Sequence, residues 1–470
     1  MATDATSEEF RDTVSHIDQQ GKRVWFFPKQ PFGRFYNART WLSYAYLIVF
    51  FTLPFIKVHG DPLFLLNIVE RKFILFGVRF WPQDFFIFML GMITFIVFIA
   101  LFTVVFGRVF CGWICPQTVF MEMVFRKIEY AIEGNPSRQK QLKNGPWTSE
   151  KIRKRILKNG IFFLIAVLVA NTFLAYIIGV DELYKIVTEP FASHVGGFST
   201  MIIFSGVFFF IFAWFREQAC LVVCPYGRMQ GVLLDKHSIV VAYDHKRGEP
   251  RGKLSKDAAT TRGDCIDCGD CVRVCPTGID IRHGTQLECT NCTACIDACD
   301  HIMEEVKKPK GLIRYASEFT IVRGRKLRIT PRIIAYTIVL FVLIGLESFL
   351  LISRSDLDVN IVRAKGTLFY TEKDGRISNL YNVKVINKTR NDMPISFMVE
   401  DRDVQIRLVG NQELIVPKDS FIDTQFFVLE SPDHIHEQKA KIEIMVMSDG
   451  EEITEEKTIF LGPAHKRNNQ

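Results

Sequence analysis

The sequence predicts a multi-domain membrane protein with three parts. These are an α-helical transmembrane bundle of five spans, an inserted cysteine-rich α+β module, and a carboxyl-terminal β-sandwich of immunoglobulin type. Three observations predict this fold class. The apolar residues, among them 42 Phe, occur in blocks of about the length that crosses a bilayer. All twelve Cys lie between Cys111 and Cys299, and the residues after 353 alternate polar and apolar side chains.

Five apolar blocks predict the spans 41–58, 84–106, 161–180, 197–215 and 333–352. The first block is short and is broken by Pro54. The charged run 67–80 is predicted to lie at the outer interface, and 181–190 is predicted to be a short acidic loop. Blocks such as these also occur as core helices of large soluble proteins. We prefer the membrane interpretation because basic and acidic loops alternate along the chain.

Charge predicts the orientation. Eleven Lys/Arg lie within 108–158 and nine within 307–332, which places the amino terminus and the regions 107–158 and 216–332 in the cytoplasm. The carboxyl terminus is then external. The net charge of +7 is modest, and no basic patch interleaved with aromatics suggests a nucleic-acid partner. The predicted domains are 1–40, an amino-terminal cytoplasmic segment; 41–215, a four-span domain; 216–332, a cytoplasmic region; 333–352, the fifth span; and 353–470, the external domain.

The cytoplasmic region carries two iron–sulfur motifs at about 255–305. The first is C-x2-C-x2-C-x3-C-P and the second is C-x2-C-x2-C-x3-C, followed by Asp300 in place of proline. This is the spacing of a bacterial two-cluster ferredoxin, in which the fourth cysteine of each motif ligates the other cluster. The predicted ligands of one [4Fe–4S] cluster are Cys265, Cys268, Cys271 and Cys299. Those of the second are Cys275, Cys289, Cys292 and Cys295.

Two other interpretations of these cysteines fit less well. Zinc sites use two C-x2-C pairs with a longer spacer and no trailing fourth cysteine. A disulfide framework requires an oxidising compartment, which the predicted topology denies to this region. Arg262, Arg273 and Arg282 near the clusters either steer an acidic electron donor or form a solvated surface.

The remaining four cysteines form two C-x3-C-P pairs, Cys111/Cys115 and Cys220/Cys224. Each pair follows a predicted span and has an arginine upstream, Arg108 or Arg216, so the pattern is a weak internal repeat. Residues at i and i+4 share a helix face, and four thiols can therefore converge if the halves pack around a twofold axis. Such a site suits Cu(I), Zn(II) or a further cluster. The thioethers of the nearby Met121, Met123 and Met229 also suit Cu(I). In the alternative interpretation, the thiols and these methionines are buried packing residues.

Seven short stretches predict the strands of the external domain: 366–371, 381–387, 395–400, 405–409, 421–429, 441–447 and 456–461. Turn signals such as Lys373-Asp374-Gly375 separate them. The domain contains no Cys, so no disulfide joins its sheets. It either docks a partner or stabilises the chain as a cap.

These features together resemble the cytochrome c oxidase accessory proteins of the CcoG/FixG/RdxA type, which are polyferredoxin-like membrane proteins. The resemblance covers nearly the whole chain. It also rests on the run YDHKRGEPRG at 243–252, on Asn379-Leu380-Tyr381 and on Asn387-Lys388. It implies a multi-pass protein of the bacterial inner membrane with cytoplasmic clusters and a periplasmic carboxyl-terminal domain.

The resemblance implies a cupric reductase, which reduces Cu(II) to Cu(I) during maturation of a cbb-type haem–copper oxidase. Two [4Fe–4S] clusters would relay electrons, and Cys111, Cys115, Cys220 and Cys224 would be catalytic, facing copper or holding a third cluster. The implied partners are the lipid bilayer, oxidase assembly factors or a copper chaperone, and a cytoplasmic or quinol electron donor. A homodimer stays open. The alternatives are a quinol dehydrogenase that feeds a periplasmic reductase, and a scaffold in which the clusters only stabilise the protein.

Overall fold

The computed structural model describes residues 20, 22–58, 60–68, 72–81, 84–253, 262–324, 330–366, 368–389, 391–399, 404–410, 414–418, 420–435 and 438–463. The chain forms two compact units, Met1–Ser348 and Phe349–Gln470. The first unit contains the apolar blocks and every cysteine, and the second contains the predicted β-sandwich.

The helices up to residue 215 build the membrane part. They are α1 (Arg34–Thr52), α2 (Phe85–Phe106), α3 (Val109–Trp113), α4 (Pro116–Thr118), α5 (Arg126–Glu133), α6 (Pro136–Asn144), α7 (Ser149–Ile178), α8 (Val180–Thr188) and α9 (Val195–Phe210). Two π-helical turns, π1 (Val119–Phe125) and π2 (Ile211–Phe215), continue α4 and α9. Their aromatic side chains form the core of this part, where Phe125 stacks on Phe212 at 4.5 Å and meets Phe162 edge-on at 4.8 Å.

Four helices among the described residues are long and apolar enough to cross a membrane: Phe85–Phe106, Ser149–Ile178, Val195–Phe215 and Pro331–Ile352, the last of which is α15. The predicted span 161–180 coincides with the carboxyl-terminal part of a longer helix, because α7 begins twelve residues earlier, where the Thr148 side chain accepts a hydrogen bond from the Lys151 amide. The predicted span 41–58 does not match a helix either. Helix α1 begins at Arg34 and ends at Thr52, just before a 3₁₀ turn that contains Pro54.

The run 67–80 belongs to a three-stranded antiparallel sheet of β3 (Phe64–Asn67), β4 (Lys72–Leu75) and β5 (Val78–Phe80). Phe76 and Gly77 both have positive φ, of 51° and 79°, as a two-residue hairpin turn requires. Before this sheet, β1 (Lys57–Val58) pairs with β2 (Asp61–Pro62). The predicted acidic loop 181–190 is also wrong, because 180–188 form α8, whose first turn carries Asp181 and Glu182 where acidic residues favour a helix.

The cysteine-rich module is built on a two-stranded antiparallel sheet, β6 (Val240–Tyr243) with β7 (Ile313–Ala316). A third π-helical turn, π3 (Ala219–Val223), and α10 (Pro225–Leu233) lead into it. Its short helices are α11 (His245–Gly248), α12 (Asp270–Arg273), α13 (Ala294–Glu305) and α14 (Glu318–Arg323). Buried Val241, Ile296 and Leu312 lie in one core cluster with Cys265 and Cys271, so the module folds around its own cysteines.

The second unit consists of two antiparallel sheets with one shared core. The strands are β8 (Leu357–Arg363), β9 (Tyr370–Thr371), β10 (Ile377–Asn387), β11 (Met393–Val399), β12 (Gln405–Leu408), β13 (Leu414–Val416), β14 (Phe421–Glu430), β15 (Lys439–Ser448) and β16 (Glu451–Leu461). One sheet has the order β12-β14-β10-β8 with β9 beside β10, and the other β13-β11-β15-β16. Side chains from both sheets, including Tyr381, Phe426 and Phe460, form the core.

The strand predictions for this unit are partly wrong. The described structure has nine strands where seven were predicted, because 357–363 and 414–416 were missed and 366–371 contributes only Tyr370 and Thr371. The missed β8 alternates buried and exposed residues, with Leu357 and Val359 inside. It begins five residues after α15 ends, so its pattern was hidden by the adjoining apolar block.

Candidate redox-metal site

The two ferredoxin motifs adopt the same backbone conformation. Asp267 and Gly269 have positive φ on either side of Cys268, and Asn291 and Thr293 repeat this on either side of Cys292. The chain can therefore curl around a group held by the first three cysteines. Each curl ends in a helix, α12 or α13, which carries the third cysteine in its first turns.

Each predicted ligand set surrounds one cavity. Cys265, Cys268, Cys271 and Cys299 line the first together with Tyr243 and Arg282. Cys275, Cys289, Cys292 and Cys295 line the second, with Cys271 at its edge. The fourth cysteine of each motif thus lies at the other motif's cavity, as the predicted exchange of ligands requires.

The thiols of both cavities suit iron–sulfur clusters chemically. Burial raises the pKa of Cys271, Cys289 and Cys299 to about 12 and that of Cys275 to about 11. Thiolates are the ligands of iron, so cluster binding must remove these protons and replace them with a positive centre. The residues present therefore fit two [4Fe–4S] clusters.

The two cavities differ in their access to solvent. Cys268 in the first is exposed, whereas every cysteine of the second is at least half-buried. The first cavity is therefore the one that an external redox partner can approach. Arg282 beside it is mostly buried and binds Asp280 and Asp267, and Arg273 binds Asp270, so these two of the three predicted steering cations are already paired.

The C-x3-C-P pairs do not lie on helix faces as predicted. Helix α3 ends at Trp113, and Cys115 is extended, with φ −55° and ψ 126°. Cys224 has the matching angles of −67° and 110° after π3. The reason is the following proline, which keeps the preceding residue out of the helical region and starts a new helix. The second cysteine of each pair is thus the N-cap residue of α4 or α10.

The structure repeats this conformation in both halves. Four residues before the first cysteine of each pair, Gly107 has φ 58° and ψ −136°, and Arg216 has φ 51° and ψ −124°. A side chain is strained at such angles. Arg216 therefore occupies a position where the first half has glycine, and its guanidinium binds the buried Glu129.

The four membrane cysteines come together. Burial raises the pKa of Cys111 and of Cys220 to about 12, and the other membrane thiolates raise both pKa values further. The Cys111 thiol donates a 3.1 Å hydrogen bond to Oε1 of Gln230, which is fully buried. Within the described residues, no group of three or more His, Cys, Asp or Glu is placed to hold a single metal ion. The ferredoxin cysteines are also too far apart to hold a single ion, as expected where thiols surround a multi-iron cluster.

The first C-x3-C-P loop packs directly on the second ferredoxin motif. A Cβ atom on Gly112 would lie 2.5 Å from the carbonyl oxygen of Thr290 and 2.9 Å from that of Asn291. Trp113 Nε1 donates to the Tyr315 hydroxyl at 3.1 Å, and that hydroxyl donates to Asn291 O at 3.3 Å. The buried Arg108 donates to Leu287 O and Gly227 O. The membrane thiols and the second cavity are therefore joined by packed backbone.

A buried ion network holds the second half in place. Arg216 and Lys158 both bind Glu129, Lys158 at 3.4 Å, and all three side chains are buried. Burial raises the pKa of Glu129, but Arg216, Lys158 and Arg126 outweigh it and lower the pKa to about 2. Arg126 in turn binds Glu122 at 3.2 Å and also Glu217. Sequence patterns gave no signal for this network beyond the presence of Arg216.

A third cavity lies where this network meets the cysteines. Glu122, Glu217, Met121 and Cys220 line it, and so do Thr277 and Thr290 from the ferredoxin motifs. The lining therefore combines two carboxylates, a thioether and a thiol with the guanidinium of Arg216, beside the second cluster cavity. Met121 and Met123 are otherwise buried in packing, as the simpler interpretation expects, and Met229 is 38% exposed.

Comparisons with known proteins agree with these features. Residues 215–318 match a family model of a 4Fe-4S dicluster domain, 88–135 match a 4Fe-4S binding domain, and 348–463 match the IG-like fold at the C-terminal of FixG. The nitrogen fixation protein FixG of Rhizobium meliloti is 33% identical in an alignment of length 437 that covers 83% of this chain and 82% of that protein. The chain belongs to the FixG/RdxA family.

A second relative supports the same assignment. Protein RdxA of Cereibacter sphaeroides is 35% identical over 415 residues, with 84% of this chain and 86% of that protein covered. A solved structure of a FixG-related protein from Vibrio parahaemolyticus aligns with 23% of this chain and 97% of its own, at 20% identity and a TM-score of 0.20. As a FixG-type chain with 4Fe-4S domains and membrane-length helices, the protein is a membrane iron–sulfur electron-transfer protein.

Proposed function

We propose that this FixG-type protein is a membrane-bound cupric reductase that produces Cu(I) for the maturation of a cbb-type haem–copper oxidase. The observation that carries the proposal is the third cavity. Its lining carries the carboxylates of Glu122 and Glu217, which are ligands of the kind that Cu(II) prefers, and the thioether of Met121, which is a soft ligand of the kind that Cu(I) prefers. A site with both kinds of ligand can accept the substrate and retain the product.

The chain's own residues organise this step. Arg126 binds both carboxylates and so holds Glu122 and Glu217 at the cavity wall. Thr277 and Thr290 line both this cavity and the second ferredoxin cavity, so the two cavities are neighbours. When bound, [4Fe–4S] clusters supply single electrons, and each Cu(II) takes one electron to become Cu(I). Cys265, Cys268, Cys271 and Cys299 would hold the first cluster, and Cys275, Cys289, Cys292 and Cys295 the second.

We further propose that Cys111, Cys115, Cys220 and Cys224 hold a third [4Fe–4S] cluster in preference to a single copper ion. Two observations support this assignment. The described residues provide no compact three-ligand site for one ion. The family model of a 4Fe-4S binding domain matches 88–135, a range whose only cysteines are Cys111 and Cys115. Their partners in space are Cys220 and Cys224.

Helix α1 is proposed as the fifth span. Its first turn begins on the cysteine-rich module, where the Asp297 side chain accepts hydrogen bonds from the Phe35 and Tyr36 amides. Near its end, Phe50 O accepts a hydrogen bond from Tyr176, close to the last residue of α7. The chain returns to the module at Gly107, which packs on Ile239 and Asn291. If α1 and α2 both cross the membrane, the chain crosses it twice between these two contacts with the cysteine-rich module. Both contacts then lie on the same side of the membrane.

With the basic loops inside, the clusters are cytoplasmic and the second unit is periplasmic. Exposed Cys268 then marks the face where a cytoplasmic donor approaches. The periplasmic unit is the surface for oxidase assembly factors or a copper chaperone. A homodimer is compatible with this arrangement.

The experiment is a stopped-flow oxidation of the reduced protein without oxygen. Cu(II) is added to dithionite-reduced protein, and the visible absorbance of the clusters and Cu(I) capture by bicinchoninate are followed together. We expect one Cu(I) per electron released. The double variant Glu122→Gln/Glu217→Gln should slow the reaction at least tenfold while iron content is unchanged, and Met123→Leu, outside the cavity lining, serves as the control. Oxidation at the same rate in the double variant would exclude this cavity.

A second candidate is oxidation of quinol, which releases two electrons and two protons. The same carboxylates favour it, because Glu122 and Glu217 lie near the inner end of the spans, where a quinol headgroup could deliver protons. The test is the same reduced protein with a water-soluble quinone. Cluster oxidation by quinone together with no response to Cu(II) would support this function over cupric reduction.

A further inference from the structure

Three methionines share the outer face of one sheet in the second unit. In the pairing of β11 with β15, Met398 lies directly opposite Met445, and Ser396 lies opposite Met447. Met398 is 53% exposed, and Met445 and Met447 are half-buried between inward-facing Ile444, Val446 and Ser448. The three thioethers therefore point away from the core and toward the same side.

The register brings these side chains within reach of one ion. Directly opposed residues of an antiparallel pair have Cβ atoms about 4.5–5.5 Å apart, and diagonal neighbours about 7–8 Å apart. Met398 and Met445 are opposed, and Met447 is the diagonal neighbour of Met398. Methionine has three rotatable bonds beyond its backbone, so three thioethers at these spacings can converge above the sheet.

The surroundings of this face are polar. Glu455 lies opposite Met445 on β16, and Glu452 lies opposite Met447 beside a register shift in the strand. Lys457 binds Glu443 at 2.7 Å and Glu455 at 3.6 Å. Three adjacent thioethers among charged side chains are not what core packing requires. Met393 on the same strand provides the contrast, because it packs against the core.

The sulfur chemistry of the second unit favours Cu(I) as the ion that these thioethers bind. Residues 349–470 contain no Cys but four of the twelve Met. Thioethers are soft ligands that suit Cu(I), and unlike thiols they form no disulfides in an oxidising compartment. Glu452, opposite Met447, supplies negative charge for a monovalent cation, whereas Glu455 is paired with Lys457.

We propose that Met398, Met445 and Met447 form a Cu(I) site on the carboxyl-terminal domain. The choice of copper rests on the proposed function, whereas the convergence of thioethers is independent of it. A site of this kind holds Cu(I) on the carboxyl-terminal domain, which the proposed topology places outside the membrane. It is separate from the cavity beside Cys220, where reduction is proposed.

The test is an anaerobic Cu(I) titration of the full-length, cluster-loaded protein in competition with bicinchoninate. We expect the triple variant Met398→Leu/Met445→Leu/Met447→Leu to bind one Cu(I) fewer than the wild type. Met398→Leu alone should weaken that site at least tenfold, which keeps the test informative if the triple variant folds poorly. Met393→Leu is the matched control in the same strand and should bind as the wild type does.

Equal Cu(I) stoichiometry in the wild type and the triple variant, with both folded by circular dichroism, would overturn the proposal. So would an equal loss in Met393→Leu. Cu(II)-dependent cluster oxidation is measured on the same samples and should be unchanged in the triple variant. The wild type could show no Cu(II)-dependent cluster oxidation while the triple variant still binds one Cu(I) fewer than the wild type. In that case the reductase proposal fails and the methionine site stands.

Discussion

Glu129 is the residue on which the second C-x3-C-P half depends most. Its carboxylate neutralises Arg216 and Lys158 in a buried site. We expect Glu129→Gln to destabilise the protein by about 3–5 kcal/mol, because the buried Arg216 loses this carboxylate, whereas Lys158 keeps its pair with Glu133 at 2.8 Å. The measurement is the thermal midpoint for loss of cluster absorbance in detergent. Glu150→Gln, which breaks an exposed pair with Lys154, should change stability by less than about 1 kcal/mol.

The same carboxylate gives a pH dependence. The pKa of Glu129 lies at about 2 in the folded protein, below its ordinary value of 4.5. A lowered carboxyl pKa stabilises the fold above the ordinary value, and the contribution is lost as the pH falls toward the folded value. The difference in midpoint between wild type and Glu129→Gln should therefore be constant above pH 4.5 and shrink as the pH falls from 4.5 toward 2. A difference that grows on acidification would contradict the ion network.

Gly112 is the residue that lets the membrane thiols approach the second cluster cavity. A methyl group there would lie 2.5 Å from a backbone oxygen that cannot rotate away. Gly112→Ala should destabilise by about 1–3 kcal/mol through overpacking and shift at least one cluster potential in an EPR-monitored redox titration. Gly206→Ala in α9 is the control, because its Cβ meets nothing within 4 Å. Unchanged cluster potentials in Gly112→Ala would show that this contact does not influence electron transfer.

At the level of elements, the first turn of α1 is capped by a residue distant in sequence. Asp297 accepts from the Phe35 and Tyr36 amides at 3.2 and 2.8 Å, and Arg39 donates to Cys292 O at 3.0 Å. Asp297→Ala should cost about 1 kcal/mol and speed tryptic cleavage at Lys29, whose amide bonds to Arg273 O. Asp297→Asn keeps an acceptor and should be cleaved as the wild type is. Equal cleavage of the Ala variant would mean that other contacts hold the segment.

Elements formed by interactions between residues close in sequence could be predicted, and elements formed by contacts distant in sequence could not. The ferredoxin motifs and the strong spans are local patterns, and α2 and α15 begin within two residues of the predicted positions. The C-x3-C-P loops were predicted as helix faces because i,i+4 spacing was given more weight than the proline that follows each pair. The π-helical turns and the left-handed Arg216 depend on tertiary contacts, such as the ion pair with Glu129, that leave no periodic signal.

For the whole molecule, the apolar, cysteine-rich and alternating blocks of the sequence predicted which unit holds the cysteines and which is a β-sandwich. They did not predict the contacts that join one metal site to the next. The cysteine spacing indicated which thiols belong together. It could not indicate that Gly112, Trp113 and Tyr315 join the membrane thiols to the second ferredoxin cavity, because Tyr315 is 202 residues from Trp113. Residues 254–261, which fall within the predicted module, lie outside the described part of the chain.

The central claim is that twelve cysteines hold three clusters in one connected chain. The most direct measurement is iron per polypeptide, with Mössbauer spectra, in protein purified without oxygen. We predict about twelve irons per chain, falling to about eight in Cys111→Ser/Cys224→Ser and with copper absent from the isolated protein. About eight irons in the wild type, unchanged in that variant, would contradict the third cluster, and a colourless protein without iron would contradict the account as a whole.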